Sequence, residues 1–244
     1  MLPPTVTLFN DGTRRPSRYN RRMSDTLAYT LESAEVRHLM AADGTLGELI
    51  GRIGPLEQRL ETDRYASLAS AIVAQQLSDK AASTIWGRLV AALEGDPTPE
   101  RILAADDTTL RGAGLSGSKT AFLRDLAMRV ADGSLDLDRV AALPDEDVIA
   151  ALTEVKGIGR WTAEMFLIFS LGRPDVLAID DGALRSTVTW LYGLDAEDDR
   201  TAIARIGEAW SPYRTCASLY LWSALDVRRA AERERRAGTK GTRP

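Results

Sequence analysis

At 244 residues with 44% apolar side chains, the chain is long enough for one large or two small domains with a sizeable core, while a formal net charge of −4 argues against holding a polyanion by overall electrostatic attraction. A single cysteine, Cys216, excludes an internal disulfide and a four-cysteine iron–sulfur cluster, and with one histidine, His38, it leaves no ligand set for zinc. The longest apolar stretch, around Met165 to Leu171, is far shorter than a membrane span, so the expectation is a compact intracellular protein in reducing surroundings with no membrane partner.

Residues 1–26 read as a disordered basic tail: Pro3, Pro4, Arg14, Arg15, Pro16, Arg18, Arg21 and Arg22 occur with little apolar periodicity and without the apolar centre of a secretory signal. Met23 offers a downstream start, so the tail reads equally as an artefact of the start site or as a basic arm for a polyanion. Helical period then dominates. Tyr65 to Gln75 follows Asp63 as a cap, with a stripe at Leu68, Ala71, Ile72 and Gln75 that is apolar except at its end. The next helix is expected from Asp79 to Glu94, where Ala82, Ile85, Trp86, Leu89, Val90 and Leu93 keep the i, i+3, i+4 spacing. Short helices follow Pro97 and Pro99, near Glu100 to Ala105 and Thr108 to Gly112, and a longer one covers Lys119 to Val130. Strand signals are weak, the best being Asp175 to Ile179, and residues 228–244 form a second basic tail. The chain reads as all-α.

The most informative run is Leu152-Thr153-Glu154-Val155-Lys156-Gly157-Ile158-Gly159-Arg160-Trp161-Thr162-Ala163, with Ile179-Asp180-Asp181-Gly182 about twenty residues on. Two glycines around one apolar residue allow a tight turn and close approach of another chain, and the helix expected over Trp161 to Leu171 would turn its free N-terminal amides toward the same anion. Taken alone, Asp180 or Asp181 is either a helix cap or an acid with chemistry to do. Three further segments stand in order with this run: Ala71-Ile72-Val73-Ala74-Gln75-Gln76-Leu77-Ser78, Gly114 to Thr120, and Trp210-Ser211-Pro212-Tyr213-Arg214 through Trp222.

Together these segments, spread over most of residues 27–226, resemble the helix-hairpin-helix DNA glycosylase superfamily in its AlkA-type 3-methyladenine branch, in a short form without the additional N-terminal α/β domain. The resemblance implies a two-lobed helical fold with the active-site cleft between lobes: residues 27–63 with 176–227 as a discontinuous lobe, and 64–175 as a central lobe carrying the hairpin. It implies a monofunctional hydrolase of base excision repair that flips alkylated bases, 3-methyladenine foremost, out of double-stranded DNA and leaves an abasic site. Such an enzyme is expected to be monomeric, and cytoplasmic with the nucleoid in a bacterium or nuclear in a eukaryote.

Each role falls on particular residues. Cleaving an N-glycosidic bond builds positive charge on the sugar, which a fixed carboxylate stabilises. The resemblance selects Asp181 for that task and leaves Asp180 to cap. Trp161 stands where lyase-active relatives present a Schiff-base lysine, and an indole has no basic amine, so no lyase step is expected. Trp161, Met165 and Trp222 are expected to line the base pocket, since a cationic alkylated purine gains from stacking on indole. Trp86, Trp190 and Trp210 read as core. Gln76, with Leu77 or Ser78 sharing the work, is the candidate plug for the gap left by the flipped base, against the plainer reading of a polar interhelical turn. Lys156, Gly157, Ile158, Gly159 and Arg160, with Ser116, Gly117, Ser118 and Lys119, are the expected contacts to DNA backbone. The resemblance also implies Na⁺ or K⁺ on the carbonyls of Thr153, Val155 and Ile158, and no other cofactor. A noncatalytic hairpin protein that only holds DNA, and a glycosylase-lyase for oxidised bases, are the competing readings.

Overall fold

The computed structural model describes residues 6–7, 25–195, 199–225 and 228; the tail readings otherwise lie outside these residues. In chain order the elements are β1 (Val6–Thr7), β2 (Thr26–Tyr29), α1 (Ala34–Ala42), α2 (Gly44–Ile53), β3 (Leu56–Arg59), α3 (Arg64–Ala74), α4 (Asp79–Ala92), α5 (Pro99–Ala104), α6 (Asp107–Gly112), α7 (Gly117–Ala131), α8 (Leu137–Val140), α9 (Asp145–Thr153), α10 (Arg160–Phe169), α11 (Gly182–Tyr192) and α12 (Asp199–Glu208). A last helix, α13, covers 214–225.

The caps explain why the helices start where they do. Asp63, Ser78, Thr98, Asp106 and Ser116 each accept the amide hydrogen of the residue three positions on, satisfying one of the donors a helix N-terminus leaves over.

The chain divides into two units, one of Thr26–Gln58 with β1 and the residues from Arg173 on, the other of Arg59–Gly172 with Asp25. Residues 59–63 and 173–175 thus fall on the opposite side of the boundary from the one expected, and main-chain bonds give the reason. Leu60 N–H donates to Asp25 O at 2.9 Å and Glu61 N–H to Phe169 O at 2.8 Å, while Thr215 N–H donates to Pro174 O at 3.0 Å and Thr215 Oγ1 to Arg173 O at 2.6 Å.

One sheet interrupts the helical pattern. Its order is β1-β3-β2, with β1 parallel to β3 and Val6 opposite Leu56. β3 alternates buried and exposed, but its second inward residue is the polar Gln58, whose Oε1 accepts from Tyr29 Oη at 3.1 Å, so hydropathy hides the alternation. No strand forms over Asp175–Ile179: Ile179 N–H turns back to Leu177 O at 2.9 Å and Val176 N–H is taken by Thr215 Oγ1 at 3.1 Å.

The first unit is built round α13. Cys216, Ala217, Leu219, Tyr220, Leu221, Trp222 and Ala224 are all buried, and the hydroxyls of Ser218 and Ser223 are satisfied by Arg214 O and Leu219 O one turn back. Asp43 Oδ2 collects the Tyr192 hydroxyl at 2.6 Å and the Trp210 indole N–H at 2.9 Å, tying α11 and the segment after α12 to the start of α2. Trp210 is fully buried, as expected of core. Trp190 is not, being 50% exposed with the Arg228 guanidinium 5.5 Å from its ring centroid, and Trp86 is half-buried. Both lie on outward parts of otherwise amphipathic helices, a choice spacing alone leaves open.

In the second unit α10 is the most buried helix near the hairpin, hiding Thr162, Ala163, Glu164, Phe166, Leu167 and Ile168. No helix among the described residues is long and apolar enough to cross a membrane.

Candidate active site

Asp181 begins α11. Its Oδ1 accepts the Leu184 amide hydrogen at 2.7 Å and the Trp222 indole N–H at 3.0 Å, both within the first unit. The cap role expected of Asp180 therefore belongs to Asp181, because only the residue immediately before the helix can reach the amide three positions on. Asp180 instead pairs with Arg200 Nε at 3.0 Å. Capping fixes the Asp181 carboxylate rather than removing it from chemistry, since an anion at a helix N-terminus faces the positive dipole end.

Trp222 is 7% exposed. Expected in the base pocket, it is a mostly buried ring whose N–H donates to the Asp181 carboxylate, which suits an indole that needs an acceptor when buried. Trp161 behaves differently. It is 43% exposed on a helix that is otherwise largely buried, and half-buried Met165 follows one turn later on the same face.

The hairpin joins α9 to α10. Gly157 has φ 84°, and a Cβ there would lie 2.2 Å from Phe122 Cδ2, so this position admits glycine only. Gly159 differs: φ is −95°, a Cβ would meet nothing within 4 Å, and no side chain of its own caps α10. A phosphate approaching the first α10 amides would meet no side chain at position 159, which main-chain gripping favours.

The cations expected to help are mostly committed within the protein. Arg160 donates from Nη1 and Nη2 to Glu146 at 2.9 and 2.5 Å and from Nε to buried Glu164 at 3.0 Å, so both edges of its guanidinium are used. The hydrogen bonds from Arg160 hold the Glu146 carboxyl below its ordinary value. Lys119 Nζ donates to Val73 O at 2.7 Å and Gln75 O at 2.8 Å, and burial lowers its pKa. Lys156 is the exception: its side chain is 72% exposed, with Nζ 3.7 Å from Asp125 Oδ1. Ser116 caps α7 through the Lys119 amide at 3.2 Å, while Gly117 and Ser118 are exposed.

Gln76 stands at φ 58° in the turn between α3 and α4, exposed, with Leu77 37% exposed beside it. The Ser78 hydroxyl accepts from the Ala81 amide at 3.4 Å to cap α4, which gives it a structural task that Gln76 and Leu77 lack. Two supporting residues were not foreseen. Gln75 Nε2 donates to Gly157 O at 2.7 Å, explaining the polar end of the α3 stripe, and Asp125 Oδ2 accepts the Lys156 amide hydrogen at 2.9 Å. Burial pushes the Asp125 carboxyl up, but that amide and Arg129 outweigh it and hold the group below its ordinary value.

For a monovalent cation the donor chemistry fits. Thr153 ends α9, where carbonyls have no helical donor, and Val155 O accepts only a main-chain amide, that of Ile158 at 3.0 Å, leaving a lone pair. No cluster of three or more His, Cys, Asp or Glu suited to a metal occurs among the described residues.

Residues 69–212 match the model of the HhH-GPD superfamily base excision DNA repair proteins. DNA-3-methyladenine glycosylase 1 of Schizosaccharomyces pombe is 34% identical over 204 residues, 81% of this chain and 89% of its own. The crystal structure of a DNA-3-methyladenine glycosidase from Bacillus halodurans superposes with a TM-score of 0.75 at 40% identity, covering 82% of this chain and 92% of that one. A Schizosaccharomyces pombe 3-methyladenine DNA glycosylase solved in complex with abasic DNA gives 0.69 at 33% identity, covering 78% and 95%. With its helical hairpin and the acid after it falling inside the matched span, this chain belongs to the HhH-GPD superfamily of base excision DNA repair proteins.

Proposed function

We propose that the protein is a monofunctional DNA glycosylase that hydrolyses the N-glycosidic bond of alkylated bases in double-stranded DNA, foremost 3-methyladenine and with it other alkylpurines such as 7-methylguanine, acting as a monomer. The observation that carries the reading is the Asp181 carboxylate, held at the start of α11 by the Leu184 amide and the Trp222 indole. Relatives over most of the chain bear the name DNA-3-methyladenine glycosylase.

As the bond from C1′ to the base nitrogen breaks, its electron pair leaves with the base. An N3- or N7-alkylated purine departs neutral because it was cationic, so little proton donation is needed. Positive charge collects on the sugar, where Asp181 stabilises it, and water adds to C1′ with loss of a proton, giving an abasic site and free base. Trp161, with Met165 beside it, supplies an aromatic face for the cationic base, worth about 0.5–2 kcal/mol. With no lysine at position 161, the enzyme makes no Schiff base and does not cut the strand. The α10 amides and Lys156 hold backbone phosphate, and Gln76 with Leu77 enters the gap left by the flipped nucleotide. Na⁺ or K⁺ on the Thr153, Val155 and Ile158 carbonyls would add positive charge at the hairpin.

The test is base release from alkylated duplex DNA. Wild-type protein should release 3-methyladenine without a borohydride-trappable adduct, and Asp181→Asn should lose about 10²–10³-fold in single-turnover rate while still binding DNA. Asn excising as fast as Asp would overturn the mechanism, and DNA binding with no release across a lesion panel would favour the noncatalytic reading.

A further inference from the structure

Three side chains along one face of α7, at spacing i, i+3 and i+6, meet the two DNA-facing turns of the second unit. Lys119 Nζ donates to Val73 O and Gln75 O at the end of α3, the Phe122 ring packs where a Gly157 Cβ would be, and Asp125 accepts the Lys156 amide hydrogen. Gln75 closes the loop by donating from Nε2 to Gly157 O, so the turn that carries Gln76 is pinned by its carbonyl to Lys119 and by its side chain to the hairpin.

Gln76 needs such support. It is a non-glycine residue at φ 58°, a strained conformation that persists only where surroundings enforce it. The Lys119 ammonium, on the carbonyl immediately before Gln76, is placed to enforce it. A lysine with two of its three donors on main-chain carbonyls is poorly placed to serve a phosphate.

We propose that Lys119 is a positioning residue for gap filling: it holds the Gln75–Gln76 turn in register with the hairpin, so that gripping the backbone and filling the vacated base position happen as one docking event. The inference rests on the reading of Gln76 as the plug and deepens it.

The experiment is a double-mutant cycle on the full chain, with single-turnover excision from alkylated duplex DNA, equilibrium binding to undamaged duplex and its salt dependence. Gln76→Ala and Lys119→Met are each expected to slow excision by about 10-fold to 100-fold, the scale of a misplacement on the order of 1 Å. Lys119→Met in the Gln76→Ala background should add less than about threefold, because both changes act through one turn. Lys119→Arg, which keeps N–H donors, should stay within about threefold of wild type. In Lys119→Met, amide exchange should rise over residues 74–78 and stay unchanged over α10.

Equal losses for Lys119→Met in both backgrounds would overturn the positioning role. So would a drop of about one unit in the salt slope for undamaged DNA, which marks a lost phosphate contact. Faster exchange throughout α3 and α7 would reduce Lys119 to an ordinary folding residue. If Gln76→Ala alone leaves excision unchanged, the plug reading itself fails, an outcome distinct from the others.

Discussion

At the scale of single residues, Asp181, Trp222 and Trp161 have three different jobs. Asp181 is both cap and proposed catalytic carboxylate, and the cap makes the second job possible by fixing where the charge sits. Trp222 acts through its N–H. Trp222→Phe keeps most of the buried ring but removes the hydrogen bond, so kcat should fall about 10-fold with little change in KM, the size of one bond to a charged group. Steady-state kinetics on alkylated duplex DNA checks this, and a rise in KM with kcat untouched would return Trp222 to the base-stacking role. Trp161→Ala should instead raise KM, by about 2-fold to 30-fold for a cationic alkylpurine and by less for neutral hypoxanthine, because only the cation gains from the ring quadrupole. Competition between the two lesions in one duplex pool measures that difference directly.

At the scale of elements, the hairpin shows two glycines kept for different reasons. Gly157 is demanded by its own fold, through positive φ and the Phe122 ring, so Gly157→Ala should destabilise the protein by about 1–3 kcal/mol. Gly159 has neither constraint, and Gly159→Ala should cost no more than about 1 kcal/mol, the usual difference between these residues at a helix N-cap. Its effect should appear in affinity for duplex DNA, if backbone phosphate approaches the α10 N-terminus as closely as proposed. Thermal melting beside binding separates the two, and equal affinity for wild type and Gly159→Ala would move the phosphate elsewhere. Internal pairing explains why three basic residues at the turns do not make a basic patch: Arg160 and Lys119 are spent on internal acceptors, while the Lys156 side chain is 72% exposed.

At the scale of the whole molecule, half-buried carboxylates stabilise both units only while they are ionised. Burial pushes Asp43, Asp125 and Asp175 up, yet hydrogen bonds outweigh it and hold all three below the ordinary 3.8: Tyr192, the Leu46 amide and Trp210 for Asp43, the Lys156 amide and Arg129 for Asp125, Arg214 and Ser211 for Asp175. Folded values below unfolded ones mean that the stabilisation is complete above the unfolded value and is lost as pH falls through the folded values. Melting temperature should therefore be flat down to about pH 5 and drop below about pH 4, and a melting temperature that rises on acidification would contradict these assignments. The helices α3 to α7 and α10, with Asp63 as the cap of α3, were legible in the sequence because periodicity and an N-terminal Asp act within a few residues. The chemistry-bearing types were legible too, in the hairpin and the acid after it. The strands over 26–29 and 56–59 were not, since a buried Gln58 becomes acceptable only once Tyr29 bonds it. Nor was the hydrogen bond from the Trp222 N–H to Asp181, 41 positions away, or Lys119 on carbonyls 44 and 46 positions back. Sequence by itself determined which residues could cap, turn, stack and carry charge, because those are local properties of side chain and backbone. Only the tertiary structure decided which of those charges remain available to DNA and which hold the protein together, because a hydrogen bond depends on distances that the chain sets by folding.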